Sequence, residues 1–459
     1  MTSTSQNGDT TPNRTRYAVC GLSNRAIGTY IPALTGDAPT ARKAELVALL
    51  DVDRERVRAF AETAGLQTPA FDANGFDRMV AETKPDAVIV TTPDGAHAEY
   101  IVRALEAGLN VVSEKPMAID SRQATDVIEA ERNSVGAVRV THNYRYTQAH
   151  MRLKRMILDG LLGRIVNVEL AWNIDTYHGS SYFYRWNRDR AKSGGMSITK
   201  GCHHFDLMNW LLDDAPEQVF AYGALNYYGA KGPYNPSLMD GVEYSQREQR
   251  DRDPYYRHWR GGAADVPEDD HLRPTDRAFN LPYNMQYPPG REMYIYDPEI
   301  EIEDTYSAVV RYRSGATMTY SANFSAPWEG YVLGINGTKG RIETTHYTAP
   351  SRCPFPATDH QPITYFPIFG ERQIHETRSS TGGHGGADPL LMRHLFIGPT
   401  RQTEELGLAA GSEQGAYAVA VGEAVWRSAT ENRPISIREL LPILDGQVAA
   451  TIRGGGADE

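Results

Sequence analysis

The sequence predicts an α/β protein with an N-terminal doubly wound parallel sheet. An α+β domain on a mostly antiparallel open sheet is expected to follow. Three observations lead there. Over 16–141, short apolar runs alternate with segments of helical spacing. After about residue 145 the runs alternate apolar with polar residues instead. The chain has 459 residues, enough for roughly two to three domains.

In order, RYAVCGL (16–22), AELVALLD (44–51), DAVIVTT (86–92), LNVVSE (109–114) and AVRVTHN (137–143) read as five strands. Runs this apolar suit strands covered on both faces. Between them, Ala98, Ile101, Val102 and Leu105 recur at helical spacing. Asp120 followed by Gln123 signals the start of a helix over 121–132. A helix over 148–160 ends at Gly160, and RIVNVELAWNI (164–174) alternates as a strand. Further strands are expected at 217–226, 304–313, 315–324, 330–336 and 340–344, with turns at RSGAT and NGTKG. Residues 227–300 read as a long insertion, suited to a lid or a subunit contact, and 349–395 as irregular chain. A last helix is expected over 411–430. The division is therefore a polar tail at 1–15, a nucleotide-binding domain at 16–141 and a second domain at 142–459. The tail lacks the apolar stretch of a signal peptide and reads as disordered, as does the closing GGGADE.

Formal charge is −11, from 47 Lys+Arg against 58 Asp+Glu, a balance that argues against a nucleic-acid partner. Cys20, Cys202 and Cys353 are far apart with no CxxC pair, which fits a reducing, cytoplasmic setting. With no apolar run of about 18 residues, no membrane span is expected.

The first strand runs into Gly21-Leu22-Ser23-Asn24-Arg25-Ala26. This is a GxGxxG/A-like turn with Ser23 at the middle glycine, where a helix N-terminus would face a pyrophosphate. By itself it is also an ordinary strand–helix turn. Asp51 ends the second strand, where a carboxylate can accept from both ribose hydroxyls and repel a 2′-phosphate. NAD is thus favoured over NADP, although Arg25 could hold a phosphate, and Asp51 could be a plain turn residue.

Thr92-Pro93, His97, Glu114-Lys115-Pro116, Gly194-Gly195 and His203-His204-Phe205-Asp206, in this order, make the chain resemble the Gfo/Idh/MocA oxidoreductases. The likeness spans 16–220 well and continues more loosely through 304–345 and Gly382–Asp388. It implies a Rossmann domain, an open-sheet partner domain often paired through that sheet as a homodimer or homotetramer, and hydride transfer between nicotinamide and a sugar or polyol carbon. It places Lys115 near nicotinamide and substrate, and His203 as acid/base. The family often carries an aspartate four residues before that histidine; here Thr199 stands there, followed by Lys200.

Alcohol oxidation needs a base near the oxygen and a donor that stabilises its developing charge. His203 suits the first role, since imidazole titrates near ~6.5, and Lys115 the second. The roles can be exchanged if neighbouring cations such as Lys200 depress the lysine. Successive helical residues point about 100° apart, so only one of His203 and His204 should face the site; His204 touches substrate or packs. Adjacent histidines do not share a helix face, and no HExxH spacing appears, so no metal is expected. Thr92, Pro93, His97, Glu114 and Asn143 are placed beside the cofactor. Arg145, Arg185, Trp186, Arg188, Lys200 and His384 are candidates for the substrate wall. The bland alternatives are interdomain bonding for Asn143 and Arg145, a solvent loop for 184–188 and a mobile loop tip for His384. The leading function is an NAD-dependent dehydrogenase or reductase of a sugar, polyol or glycoside. A redox-neutral lyase or hydrolase with transient sugar oxidation stands second, and a non-catalytic sensor third.

Overall fold

The computed structural model describes residues 14–259, 278–279 and 293–445. The expectations for 1–13, for 260–277 and 280–292 of the insertion, and for GGGADE fall outside these residues. The first sheet joins β1 (Thr15–Cys20), β2 (Ala44–Leu50), β3 (Ala70–Phe71), β4 (Ala87–Val90), β5 (Asn110–Ser113) and β6 (Val138–Val140). All pairs are parallel, in the order β3-β2-β1-β4-β5-β6. From β1 the chain runs outward to β2 on one side and returns to β4 on the other. Such a reversal opens a crevice beyond the strand ends. β4 is an unbroken apolar run because helices cover both faces of the sheet, and all four of its residues are buried. β3 was not foreseen, since two residues carry no period. The helix Ser121–Arg132 starts as the sequence indicates: Asp120 accepts the Gln123 N–H at 2.7 Å, and the Gln123 side chain accepts from Ile119 at 3.2 Å.

The second sheet has nine strands in the order β14-β13-β12-β11-β7-β10-β9-β8-β15. They are β7 (Ile165–Asp175), β8 (Pro216–Ala224), β9 (Thr305–Tyr312), β10 (Thr317–Ala326), β11 (Gly330–Gly337), β12 (Gly340–Tyr347), β13 (His360–Pro367), β14 (Gln373–Arg378) and β15 (Ile435–Ser436). Every pairing is antiparallel except β7 with β10. Met318, Tyr320, Ala322 and Phe324 of β10 point to the covered face, while Thr317, Thr319 and Ser321 point to the open one. On the covered face the small residues of Ser412–Glu431 allow close approach. A side chain at Gly422 would meet the Ser197 carbonyl oxygen at 2.4 Å. This brings the 196–199 segment, and the helix Gly201–Leu212 after it, against the sheet.

The reading of 349–395 as irregular needs correction, because β13 and β14 lie there. Prolines at 362 and 367 interrupt β13, and β14 buries no residue, so neither shows an apolar period. Within the insertion, Pro236–Asp240, Gln246–Arg252 and Pro254–Trp259 are short helices. Among the described residues no helix is long and apolar enough to cross a membrane.

Candidate active site

The turn after β1 is set by Gly21. Its φ is +96°, and a Cβ there would lie 2.5 Å from the Thr92 nitrogen, so only glycine lets β1 and β4 end together. A helix follows at once over 24–34, with a wider turn at Ala26–Tyr30. The Ser23 hydroxyl accepts from the buried Ala26 N–H at 3.3 Å. Asp51 ends β2, and its carboxylate accepts from Leu22 N–H (2.6 Å) and Asp53 N–H (3.0 Å). Burial raises this carboxyl, although those two bonds oppose the shift. Among the described residues, two buried polar atoms beside the crevice have no partner: Thr92 Oγ1 and Asn143 Oδ1. A dinucleotide fits this cradle, with glycine where the backbone must be approached, a helix N-terminus facing it and orphaned acceptor and hydroxyl groups along its far end.

Arg25 does not reach toward a ribose phosphate. Its guanidinium donates to Glu114 Oε1 (2.8 Å) and Asp388 Oδ2 (2.8 Å). Tyr30 donates to the same Glu114 oxygen at 2.8 Å. Burial would raise Glu114, but Arg25 and Lys115 bring it below the ordinary carboxylate range. His97 is likewise a brace: its ring nitrogens lie 2.6 Å from the Pro116 carbonyl and 2.8 Å from the Thr92 carbonyl. Both nitrogens are thereby used, which corrects its placement against the cofactor. Pro93 is exposed beside it.

Lys115 Nζ donates to the Thr199 carbonyl at 3.4 Å, so the two halves of the site meet. From the helix Gly201–Leu212 and the residue before it come His203 and Lys200, and from the turn after β6 comes Tyr144. The His203 ring lies flat on Tyr144, centroids 4.2 Å apart, and its Nδ1 is unpartnered. Burial, then the charges of Lys115 and Lys200, push His203 well below its ordinary value. Lys200 Nζ donates to the Tyr144 hydroxyl at 3.2 Å. His384, at φ +52°, donates from Nδ1 to Asp388 Oδ2 at 2.9 Å, and its ring lies 6.4 Å from that of His203. Asp388 also accepts from Asn143 at 2.9 Å. A cavity of about 270 Å³ opens beside these groups, walled by Tyr144, Trp172, Lys200, Glu329, Tyr331 and His384.

Several sequence candidates lie elsewhere. Arg145 is sealed in a bidentate pair with Asp206, at 2.8 and 2.5 Å, because the turn after β6 carries it under the helix Gly201–Leu212. Arg188 is buried and binds Asp297 (2.6 Å) and the Tyr294 carbonyl (3.3 Å), fastening the returning end of the insertion. His204 faces the sheet: it shares a 2.8 Å hydrogen bond with Tyr320 and stacks on Trp172 at 3.9 Å. Arg185 lies over the Tyr184 ring at 5.6 Å, and Trp186 is half-buried beside it; neither lines the cavity. Tyr144, Asp388 and Glu329 were missed. Tyr144 stood between two residues already singled out, and Asp388 closed the glycine-rich stretch, but nothing in the sequence joined Glu329 to either.

Residues 15–142 match the NAD-binding Rossmann fold of the Gfo/Idh/MocA oxidoreductase family, and 154–437 match its C-terminal alpha/beta domain. YteT of Bacillus subtilis (strain 168), a protein named as an oxidoreductase, is 46% identical over 430 residues, covering 92% of this chain and 97% of that one. Two solved structures share the fold. Aldose–aldose oxidoreductase of Caulobacter crescentus, complexed with glycerol, is 19% identical with a TM-score of 0.59, covering 92% of this chain and 100% of that one. The WlbA dehydrogenase of Bordetella pertussis, in complex with NADH and UDP-GlcNAcA, is 20% identical with a TM-score of 0.58, covering 92% and 99%. The chain belongs to the Gfo/Idh/MocA family and is an NAD-binding oxidoreductase.

Proposed function

We propose that this enzyme moves a hydride between NAD and a hydroxyl-bearing carbon of a sugar, polyol or glycoside. The observation that carries the proposal is a linked set of groups: Lys200, Tyr144 and His384 wall one small cavity, His203 stacks on Tyr144 behind it, and Lys115 meets the Thr199 carbonyl next to Lys200. Gly21, Ser23, Asn24 and Ala26 would cradle the pyrophosphate and Asp51 the ribose; Thr92 and Asn143 would meet the nicotinamide end, with Glu114 held behind Lys115. NAD when bound accepts or returns the hydride. Lys115 donates a hydrogen bond to the reacting oxygen and stabilises its charge. His203, buried and held neutral, takes the hydroxyl proton on its unpartnered nitrogen. The Tyr144 hydroxyl and Lys200 offer donors to a second sugar oxygen, and the aromatic wall offers flat faces to C–H groups. The cavity, near the small end of ligand pockets, suits one sugar ring.

We propose the same division of labour between 16–141 and 142–459. We also propose a homo-oligomer formed through the second sheet's open face. There Tyr222, Val309 and Val332 are exposed around a shallow concavity of about 900 Å³.

The test is incubation with NAD and a panel of sugars, polyols and glycosides. Reduced nicotinamide should accumulate with at least one; a flat trace across the panel counts against the reading. One observation favours the redox-neutral alternative. His384, oriented by Asp388, lines the cavity as an imidazole separate from His203, and elimination needs a proton donor for the leaving group in addition to the base. Product formed from a glycoside without net nicotinamide reduction would select that route.

A further inference from the structure

The site has a buried carboxylate with no assigned role. Asp94 follows Thr92-Pro93 at the end of β4 and is 9% exposed. The Thr199 hydroxyl shares its proton between Asp94 Oδ2 at 2.8 Å and the Ser193 carbonyl at 3.0 Å. Thr199 is the residue whose carbonyl receives Lys115 Nζ, and it stands where the family resemblance implies an aspartate. The loop carrying Asp94 is pinned on both sides. His97 ties the Thr92 carbonyl to the Pro116 carbonyl, next to Lys115. On the other side, a side chain at Gly95 would press on the Lys192 carbonyl at 2.9 Å. Asp94 is thus held in place from β4 while Thr199 is held from the helical side.

We propose that Asp94 is a positioning residue of the reaction: acting through the Thr199 hydroxyl and by its charge, it fixes the carbonyl that aims Lys115. The missing acid of position 199 arrives from another loop, with threonine as the connector. This rests on the reading that Lys115 meets the substrate oxygen. The groups facing Asp94 are His97, Lys115, Glu114 and Thr199. Burial raises the Asp94 carboxyl, while the charges of His97 and Lys115 oppose the shift. His203 and Cys202 also feel the charges of Lys115 and Lys200. Removing one negative charge from this set makes the lysine easier to deprotonate.

The test compares wild type with Asp94→Asn, Thr199→Val and the exchanged pair Asp94→Asn/Thr199→Asp. Asp94→Asn should lower kcat about 10–100-fold with KM for NAD unchanged, and the alkaline limb of its kcat–pH profile should move to lower pH. The exchanged pair should recover most of the loss. The same pH shift is readable without substrate, from the acylation of Lys115 followed by peptide mass spectrometry. If Asp94→Asn does not fold, Thr199→Val decides. Full kcat in either single variant with an unmoved Lys115 profile, or no recovery in a folded exchanged pair, overturns the proposal. An inactive wild type with a shifted acylation profile would sink the sugar reading and leave this one standing.

Discussion

Two arginine–carboxylate clusters join the first sheet's loops to the C-terminal half, and they differ in exposure and in what their carboxylates bind next. In the Arg145–Asp206 cluster both side chains are nearly sealed, at 3% and 2% exposure, and the remaining guanidinium N–H groups reach the Gly407 and Ala409 carbonyls at 3.3 Å. The guanidinium is spent on protein acceptors, while both ring nitrogens of the adjoining His142 have no partner among the described residues. In the Arg25 cluster the arginine is 28% exposed, and its two carboxylates are shared onward. Glu114 takes Tyr30 and the Lys115 N–H; Asp388 takes Asn143 and His384. A closed pair fixes the fold, whereas an open, shared one ties the turn after β1 to the segment that carries His384 on the cavity wall. Both are built on an arginine and an aspartate, with Glu114 added in the second; the solvent boundary and the onward partners differ.

The largest effect should appear where the open cluster meets the reacting atoms. Lys115→Ala is expected to lower kcat by about 10²–10⁴-fold, with NADH binding, followed by nicotinamide fluorescence, retained. A loss under tenfold would move the chemistry away from this cluster. Arg145→Ala should act on stability instead. It leaves Asp206 buried and unpaired, at a cost of about 3–5 kcal/mol in urea unfolding, with kcat of the folded enzyme little changed. The contrast breaks if kcat collapses while stability holds.

Acid separates the same two regions. His142, 3.7 Å from Asp206, is pushed from 6.5 to about 4, first by burial, although Asp206 opposes the shift. The folded state keeps it neutral while the unfolded chain protonates it. Its contribution is therefore present above pH 6.5 and lost as pH falls toward 4. Glu329, on the cavity wall, would be raised by burial, but His178, Lys200 and Arg352 bring it from 4.5 to about 2. Its contribution is present above 4.5 and lost between 4.5 and 2. Chemical unfolding across these windows should show stability falling in both, and Glu329→Gln should flatten only the lower one. The smallest effect is expected at Ser23→Gly, a few tenths of a kcal/mol by urea unfolding, since glycine suits the turn and only one capping bond is lost.

The first sheet was legible because buried parallel strands and their helices must write their burial into consecutive residues; of its six strands only two-residue β3 escaped. The second sheet was legible where one face is covered, as in β7 to β12, and illegible at its edge, where β14 buries nothing. At the site, the family resemblance pointed to Lys115 and His203, and helix geometry anticipated that His203 and His204 would part, one stacking on Tyr144 and the other on Trp172. It could not tell Arg25 and Arg145 apart, nor find that Asp94 stands behind Thr199.

By itself the sequence determined the class of fold, the nucleotide turn and the family, because these depend on local periodicity and on residues close in the chain. Tertiary structure alone decided which charges are sealed and which face the cavity. That choice depends on solvent access and on partners such as Arg25 and Asp388, 363 residues apart, and no local pattern records it.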